Sequence, residues 1–231
     1  MAYTTINKHT AHFNTKLYTG NGSTNAITGV GHQPDLVWTK RRDNTGNHSL
    51  YDVVRGVTKR LESDTADAEG TVATSLTAFD SDGFTLGSGG DSNGNGETYA
   101  AWNWKAGGAG SSNSDGTIAS TVSVNTTAGF SIVKYTGPGS GSATVGHGLG
   151  VKPKLLIIKS MTNSENWGFW IDTTGNGTAD KRLVLNGTAS DYGGYFVSFQ
   201  NNTFTLPSHN DGSWSGSGQN YIAYCFAEKT G

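Results

Sequence analysis

Two short stretches of the chain share one pattern of apolar and polar positions. Residues 33–40 read QPDLVWTK, and residues 152–159 read KPKLLIIK. Each has a proline at its second position, then a run of mainly apolar or aromatic residues, and a lysine at its end. Proline is tolerated at the first residue of a strand because no ladder hydrogen bond is lost there. Short runs rich in Val, Ile and Trp favour strands, so the pattern predicts one strand at each place.

Further matches surround these strands in the same order, at an offset of about 120 residues. The matching segments are 18–20 with 135–137, 59–61 with 181–183, 84–86 with 204–206, and 99–104 with 221–226. The pattern predicts a duplicated domain: a first repeat with its N-terminal segment at 1–106, a Gly/Ser linker at 107–115, and a second repeat at 116–231. The period is far longer than the roughly 20–50 residues of solenoid repeats, so each copy is expected to bury its own core.

Turn-forming residues separate the short apolar runs along both repeats. This spacing predicts an all-β protein of two tandem homologous antiparallel β-sandwich domains, jelly-roll-like in type. Side chains alternate along a strand, so Trp102 and Trp104 share one face. We expect the repeats to superpose with Pro34 on Pro153 and Trp104 on Phe226. The predicted core is Leu36, Trp38, Trp102, Trp104, Leu155, Ile157, Tyr224 and Phe226.

The composition fits short strands joined by tight turns. The 231 residues include 34 glycines, about twice the usual share, and only 15% are charged. A formal net charge of −2 with no basic block gives no concentrated positive surface, so we expect no nucleic-acid partner. No run of about 18 apolar residues occurs, and Met1–Lys8 lacks the apolar core of a signal peptide. We therefore expect synthesis in a cytoplasm, without membrane insertion. The one cysteine, Cys225, excludes an intrachain disulfide.

Few residues have the spacing of a catalytic or metal site. Residues 90–94 read GDSNG and match the G-x-S-x-G elbow of hydrolases. That elbow needs a strand before it, a helix after it, and a histidine and an acid as partners. Here a Gly- and Asn-rich tract surrounds Ser92 and a further strand follows, so we expect no catalytic activity and no cofactor. The six histidines lack metal-site spacing, and we expect a structural role for His32 and His147 in their matching Gly-His turns.

Acidic residues near the serine motif raise the question of a cation site. Asp91 and Asn93 match the start of an EF-hand loop, but Trp102 occupies the twelfth position, where the bidentate carboxylate belongs. A weak calcium site formed by Asp80, Asp82 and Asp91 is one interpretation. The other is that Asp, Asn and Gly are simply the residues that turns prefer.

One tryptophan stands apart from the strand pattern. Trp214 lies in a loop, residues 211–216, whose sequence is DGSWSG, and the first repeat has no tryptophan there. An exposed indole would stack on a sugar ring or on a partner protein, whereas a folded-back indole would be a lid on its own sandwich. The sequence leaves both alternatives open. The candidate contact residues for a ligand or partner are Trp214, Asp211 and Trp167.

Taken together, these segments resemble a family of bacteriophage virion proteins, and the resemblance covers nearly the whole chain. It rests on residues 17–22 (LYTGNG), 33–38 (QPDLVW), 61–65 (LESDT), 79–87 (FDSDGFTLG), 102–107 (WNWKAG), 147–154 (HGLGVKPK) and 223–228 (AYCFAE). The resemblance implies a β-rich structural domain on phage exteriors, often in tail-fibre-like proteins. It carries over no catalytic residue.

The resemblance implies a non-enzymatic structural protein of the virion exterior, either a capsid decoration or a tail or tail-fibre accessory. Its expected partners are other phage virion proteins, with self-association as a further expectation. The chain lacks coiled-coil heptads and a collagen-like shaft, so it matches a compact accessory as well as a fibre tip. The alternative is a receptor-binding tail protein, an adhesin that recognises a host glycan through Trp214 and the loop around it.

Overall fold

Nearly all of the regular secondary structure in the described residues is short β-strand, which confirms the predicted all-β class. The computed structural model describes residues 6, 8–139, 142–188, 197–207 and 211–229. A 3₁₀ turn at His9–Ala11 precedes the first strand, and a short helix, α1, spans Gly90–Asn93. The strands are β1 (Phe13–Thr19), β2 (Asn25–Thr28), β3 (Leu36–Arg41), β4 (Ser49–Asp52), β5 (Lys59–Glu62), β6 (Gly70–Thr71), β7 (Leu76–Asp80), β8 (Gly83–Leu86), β9 (Thr98–Trp104), β10 (Ser111–Asn113), β11 (Ser120–Asn125), β12 (Phe130–Thr136), β13 (Thr144–Gly146), β14 (Pro153–Ser160), β15 (Gly168–Ile171), β16 (Lys181–Val184), β17 (Ser198–Phe199), β18 (Thr203–Thr205) and β19 (Asn220–Ala227).

The described strands form a large and a small sheet in each half of the chain. The first large sheet has the order β1-β9-β3-β4-β5-β6, and the first small sheet has the order β2-β8-β7. The second large sheet has the order β10-β11-β12-β19-β14-β15-β16, and the second small sheet has the order β13-β18-β17. Neighbouring strands pair antiparallel, as expected for sandwiches.

The two halves use the same strand order. Strands β1, β9, β3, β4 and β5 occupy the places that β12, β19, β14, β15 and β16 occupy in the second half. The register also matches, because Leu36 pairs with Trp104 and Leu155 pairs with Phe226. Pro153 begins β14, and Pro34 lies just before β3. The expected strand equivalences are therefore present, while common descent of the halves stays a prediction.

Three apolar clusters hold four layers of sheet together. One cluster lies between the first small and first large sheets, with Val37, Tyr51 and Phe84 among its members. A second lies between the second large and second small sheets. The third lies between the two large sheets and joins residues of both halves, such as Leu50 and Ile132. Each half therefore has a core between its own two sheets, and the halves share a further core.

Both faces of the central strands are buried for this reason. In β14, Leu156 and Ile158 point into the second half's own core, while Ile157 points into the shared core. A continuous apolar run is typical of a strand covered on two sides, whereas one-sided burial gives alternation. The continuous apolar run Leu155–Ile158 therefore reflects burial of β14 on both of its faces.

Hydrogen bonds from side chains of the second half to backbone carbonyls of the first half also join the two halves. The Trp167 indole Nε1 donates to the Glu62 carbonyl at 2.8 Å. The buried ammonium of Lys159 donates to the Ala66 carbonyl at 3.1 Å. Because these bonds are specific in position, they fix how the two large sheets lie on each other.

The segment predicted as a linker contributes a strand. Within residues 107–115, Ser111–Asn113 form β10, which pairs with β11 at one edge of the second large sheet. The Gly107 N–H is also bonded to Ser123 Oγ at 2.9 Å. Backbone groups of this segment thus make contacts with the second half, which its small side chains do not supply.

The predicted core is only partly correct. Leu36, Ile157 and Tyr224 are buried as expected. The other five predicted residues are half-buried, and they are Trp38, Trp102, Trp104, Leu155 and Phe226. All of these except Trp102 pack against the shared core. Trp102 is therefore not a core residue.

Candidate functional site

Three tryptophans lie side by side on one face of the first large sheet. Trp38 on β3 is directly opposite Trp102 on β9, and Trp104 lies two residues further along β9. Alternation along both strands puts the three side chains on the face that looks toward the second half. The Trp38 ring centroid lies 6.3 Å from that of Trp102, edge to face, and 6.4 Å from that of Trp104. Such spacings are typical of attractive aromatic pairs.

His48 completes this group and orients it. The Trp38 Nε1–H donates to His48 Nδ1 at 2.9 Å, so this nitrogen is an acceptor and the neutral ring carries its proton on Nε2. Burial lowers the pKa of His48, while the charge of Asp64 opposes this effect and that of Lys40 adds to it. The ring is therefore neutral at pH 7 and remains an acceptor for Trp38.

These four residues, Trp38, His48, Trp102 and Trp104, form what we call the tryptophan face. They line an open pocket of about 300 Å³ whose wall is almost entirely apolar. Leu17 on the neighbouring strand β1 is 60% exposed, the most exposed of the large apolar side chains described as exposed. Exposed aromatic and aliphatic groups that adjoin each other are typical of contact surfaces.

The tryptophan face is open because the two large sheets do not cover each other fully. The corresponding residues of the second half, Ile157 and Tyr224, are buried in the shared core. In the first half the buried strand residues of the shared core are Leu36, Leu50 and Leu61, while Trp38 and Trp104 pack against it half-buried. The second half thus covers the part of this face around β4 and β5 and leaves the part around Trp102 uncovered. The sequence could not reveal this offset, because the strands of the two halves have equivalent patterns.

Trp214 does not have the exposed position that a stacking residue needs. It is fully buried, its ring lies 5.5 Å from that of Trp170 in an edge-to-face contact, and the Arg182 guanidinium is 4.5 Å from its centroid. Its carbonyl accepts the Tyr135 hydroxyl at 2.8 Å. The exposed alternative for Trp214 is wrong, and the folded-back alternative describes its position.

The other two candidate contact residues lie close together. Trp167 is fully buried, and Asp211 is half-buried. Both line a polar pocket of about 210 Å³ together with Asn166, Arg182 and Ser213. The Asp211 carboxylate accepts the backbone N–H of Ser213 at 2.7 Å. This polar pocket is a second candidate site, chemically different from the tryptophan face.

Ser92 of the G-x-S-x-G motif has a structural environment. Its side chain is buried, and its hydroxyl lies 3.1 Å from the Thr39 hydroxyl and 3.1 Å from the Tyr51 hydroxyl. The Ser92 carbonyl accepts the Tyr18 hydroxyl, as the Trp214 carbonyl accepts that of Tyr135. Ser92 and Trp214 therefore occupy corresponding places, where each closes the end of a sandwich.

The three carboxylates of the candidate calcium site are used separately. Asp82 accepts the N–H groups of Gly29 and Gly31. Asp80 accepts the Thr85 hydroxyl, and Asp91 is paired with Arg60. Within the described ranges, no group of three or more metal-ligating side chains is brought together. The calcium interpretation is therefore not supported, and the turn interpretation accounts for these residues.

The two matching histidines stabilise turns, as predicted. His32 Nδ1 lies 2.9 Å from the Thr10 carbonyl oxygen. His147 Nε2 lies 3.1 Å from the Gln200 carbonyl oxygen, and its Nδ1 accepts the Leu149 N–H at 3.2 Å. Both side chains are buried.

The fold and these two surfaces define an all-β protein with a half-exposed aromatic surface. The chain belongs to the family described as "Domain of unknown function (DUF7483)", whose family model matches residues 8–231. That match extends through both halves. No curated protein and no solved structure matches the chain. Among the described residues, no helix is long and apolar enough to span a membrane.

Proposed function

We propose that the chain is a non-catalytic structural protein of a bacteriophage particle's exterior, which joins other virion proteins through the tryptophan face. The resemblance of seven sequence segments to phage virion proteins supports a place on the phage particle. The tryptophan face supports binding to another protein. Interface centres are enriched in Trp and depleted of charge, and this surface has three tryptophans and an almost wholly apolar pocket.

The chemistry of the tryptophan face favours a protein partner over a sugar. A bound sugar needs hydrogen-bonding groups around the aromatic platform, because its hydroxyls lose their water on binding. Here the pocket wall is almost entirely apolar, and His48 offers its Nε2–H but no acceptor, because its Nδ1 is already bonded to Trp38. A protein partner with an apolar side chain needs no such groups. Aromatic residues at this kind of surface are also typical hot spots of binding energy.

The experiment is to locate the protein on purified particles by cryo-electron microscopy, with and without the gene. The proposal expects added density on the exterior of the capsid or tail that disappears on deletion, while adsorption to cells stays near normal. Particles that never contain the protein would overturn the proposal.

The polar pocket favours one alternative, a receptor-binding tail protein that binds a host glycan. Asn166, Arg182, Asp211 and Ser213 supply donors and acceptors around Trp167, as sugar hydroxyls require. If this alternative is correct, Asp211→Ala abolishes binding to a glycan array and to cells but leaves particles intact, while Trp102→Ser changes neither. Purified protein that blocks phage adsorption would also favour the adhesin.

A further inference from the structure

One long edge of the first large sheet has no partner strand among the described residues. Strand β1 stands at the end of the strand order and pairs with β9 only. In the second half, β12 has the same place beside β19, but β11 pairs with its outer edge over Ser120–Asn125. The same strand position is thus covered by a strand in the second half, while in the first half no strand among the described residues covers it. An open edge of seven residues is a template for pairing with another strand.

The backbone groups that face outward can be assigned. The Gly20 N–H donates to Glu97 O at 2.8 Å, and the Gly96 N–H donates to Gly20 O at 2.9 Å, so residue 20 faces β9. Directions alternate along a strand, so residues 14, 16 and 18 also face β9, and residues 13, 15, 17 and 19 face outward. The Thr15 N–H fits this assignment, because it donates to the side chain of Asn14 at 2.9 Å.

We propose that a second copy of the chain pairs with this edge, with β1 antiparallel to β1 about a two-fold axis at Leu17. A two-fold interface uses the same patch on both copies, so the strand must be complementary to itself. With the axis at Leu17, the outward N–H and C=O groups of the two Leu17 residues bond to each other. Thr15 of each copy then faces Thr19 of the other.

The side chains favour this register over its neighbour. An axis at Lys16 would place two lysines directly opposite each other, which is destabilising. With the axis at Leu17, Lys16 of each copy faces Tyr18 of the other, and the two 60%-exposed leucines cover one another. Leu17 points to the same side as Thr15, which is paired with Trp102. The dimer therefore continues the first large sheet through both copies, with the two tryptophan faces on one side of it.

The test is sedimentation equilibrium of the full chain over a wide concentration range. The wild type is expected to shift from 24.2 kDa toward twice that mass as concentration rises. Leu17→Pro removes an outward N–H that β9 does not use, so it should keep the fold and remain monomeric. Leu17→Lys is the second variant, for use if the proline variant does not fold. It places like charges at the axis and should also be monomeric. The control Leu183→Ser, at an exposed leucine of β16, should dimerise like the wild type.

Three results would overturn this proposal. If the wild type stays monomeric up to its solubility limit, a second copy does not pair with the β1 edge. A dimer that persists in folded Leu17→Pro and Leu17→Lys uses another surface. A wild-type monomer that dimerises only after deletion of residues 1–5 would show that the chain's own N-terminal segment occupies the edge.

Discussion

The phenolic oxygen of Tyr224 lies 2.8 Å from Oδ2 of Asp52, so a strand near the C-terminus is bonded to a strand of the first half. The same oxygen of Asp52 accepts Arg55 Nε at 2.5 Å, and both charged side chains are fully buried. This carboxylate oxygen thus serves two side chains, one from each half. Because the bond from Tyr224 joins the halves, the stability of each half depends on the other, in addition to the core that each half has of its own.

Removal of Asp52 is expected to be the most costly single change in this network. Asp52→Ala removes the close partner of the buried Arg55 charge and leaves it only the longer ion pair with Glu69, at 3.4 Å, so it should lower the free energy of unfolding by about 3–5 kcal/mol. Tyr224→Phe removes one hydrogen bond to a charged group and should cost about 1.5–3 kcal/mol. Urea unfolding measures both values. An Asp52→Ala loss smaller than that of Tyr224→Phe would contradict this description of the interface.

The buried lysine predicts a pH dependence. Burial lowers the pKa of Lys159 to about 8, although Glu165 and Asp67 oppose the shift. Between pH 8 and about 10.5 the unfolded chain holds a proton that the folded chain has released, so Lys159 makes stability rise with pH there. Its destabilising contribution is complete below pH 8.

The measurement is the unfolding free energy of wild type minus that of Lys159→Met between pH 7 and 10. The difference should increase by at most about 1.4 kcal/mol per pH unit. The same comparison with Leu183→Ser, which removes no ionisable group, should give no such slope. A flat difference for Lys159→Met would show that the ammonium is not desolvated.

Cys225 is expected to be unreactive in the folded protein. Burial raises the pKa of its thiol to about 12, although the neighbouring Ser131 side chain opposes the shift. At pH 8 the thiolate fraction is then about 10⁻⁴, against roughly a quarter for a free thiol. A coloured disulfide reagent should therefore react at once in urea and only slowly in buffer. Rapid reaction in buffer would contradict the burial of this residue.

The two tryptophan environments predict a contrast in stability. Trp214→Ala empties a fully buried site and should cost about 3–5 kcal/mol of unfolding free energy. Trp102→Ala removes a half-buried ring that does not pack against the shared core, so its cost should be clearly smaller. Thermal and urea unfolding of the two variants makes the comparison. Equal losses would show that the tryptophan face is a folding core and not a contact surface.

The strands could be predicted from sequence because local pattern decides them. Pro34 and Pro153 mark equivalent strands, and Trp104 and Phe226 have equivalent registers. Alternation also places Trp102 and Trp104 on one face. Which sheet covers that face depends on how the halves dock, and no local pattern encodes that.

The buried position of Trp214 could have been predicted by aligning the two repeats, although no single motif indicates it. Alignment of residues 212–216 with residues 90–94 puts Trp214 at the place of Ser92. The strand pairing puts Trp170 at the place of Tyr51. Two tryptophans thus fill in the second half the space that a serine and a tyrosine share in the first. Burial of Trp214 follows from this correspondence and not from the Gly- and Ser-rich loop around it.

The central claim is that the tryptophan face binds the protein to the phage particle. It is tested most directly by measuring how much added protein binds to particles made without the gene. Purified wild type, Trp102→Ser, and the control Val151→Ser at an exposed apolar residue of the second half would each be added to such particles. We expect wild type and Val151→Ser to bind equally and Trp102→Ser to bind at least tenfold more weakly, which corresponds to about 1.4 kcal/mol. Full binding by a folded Trp102→Ser variant would contradict the role of the tryptophan face.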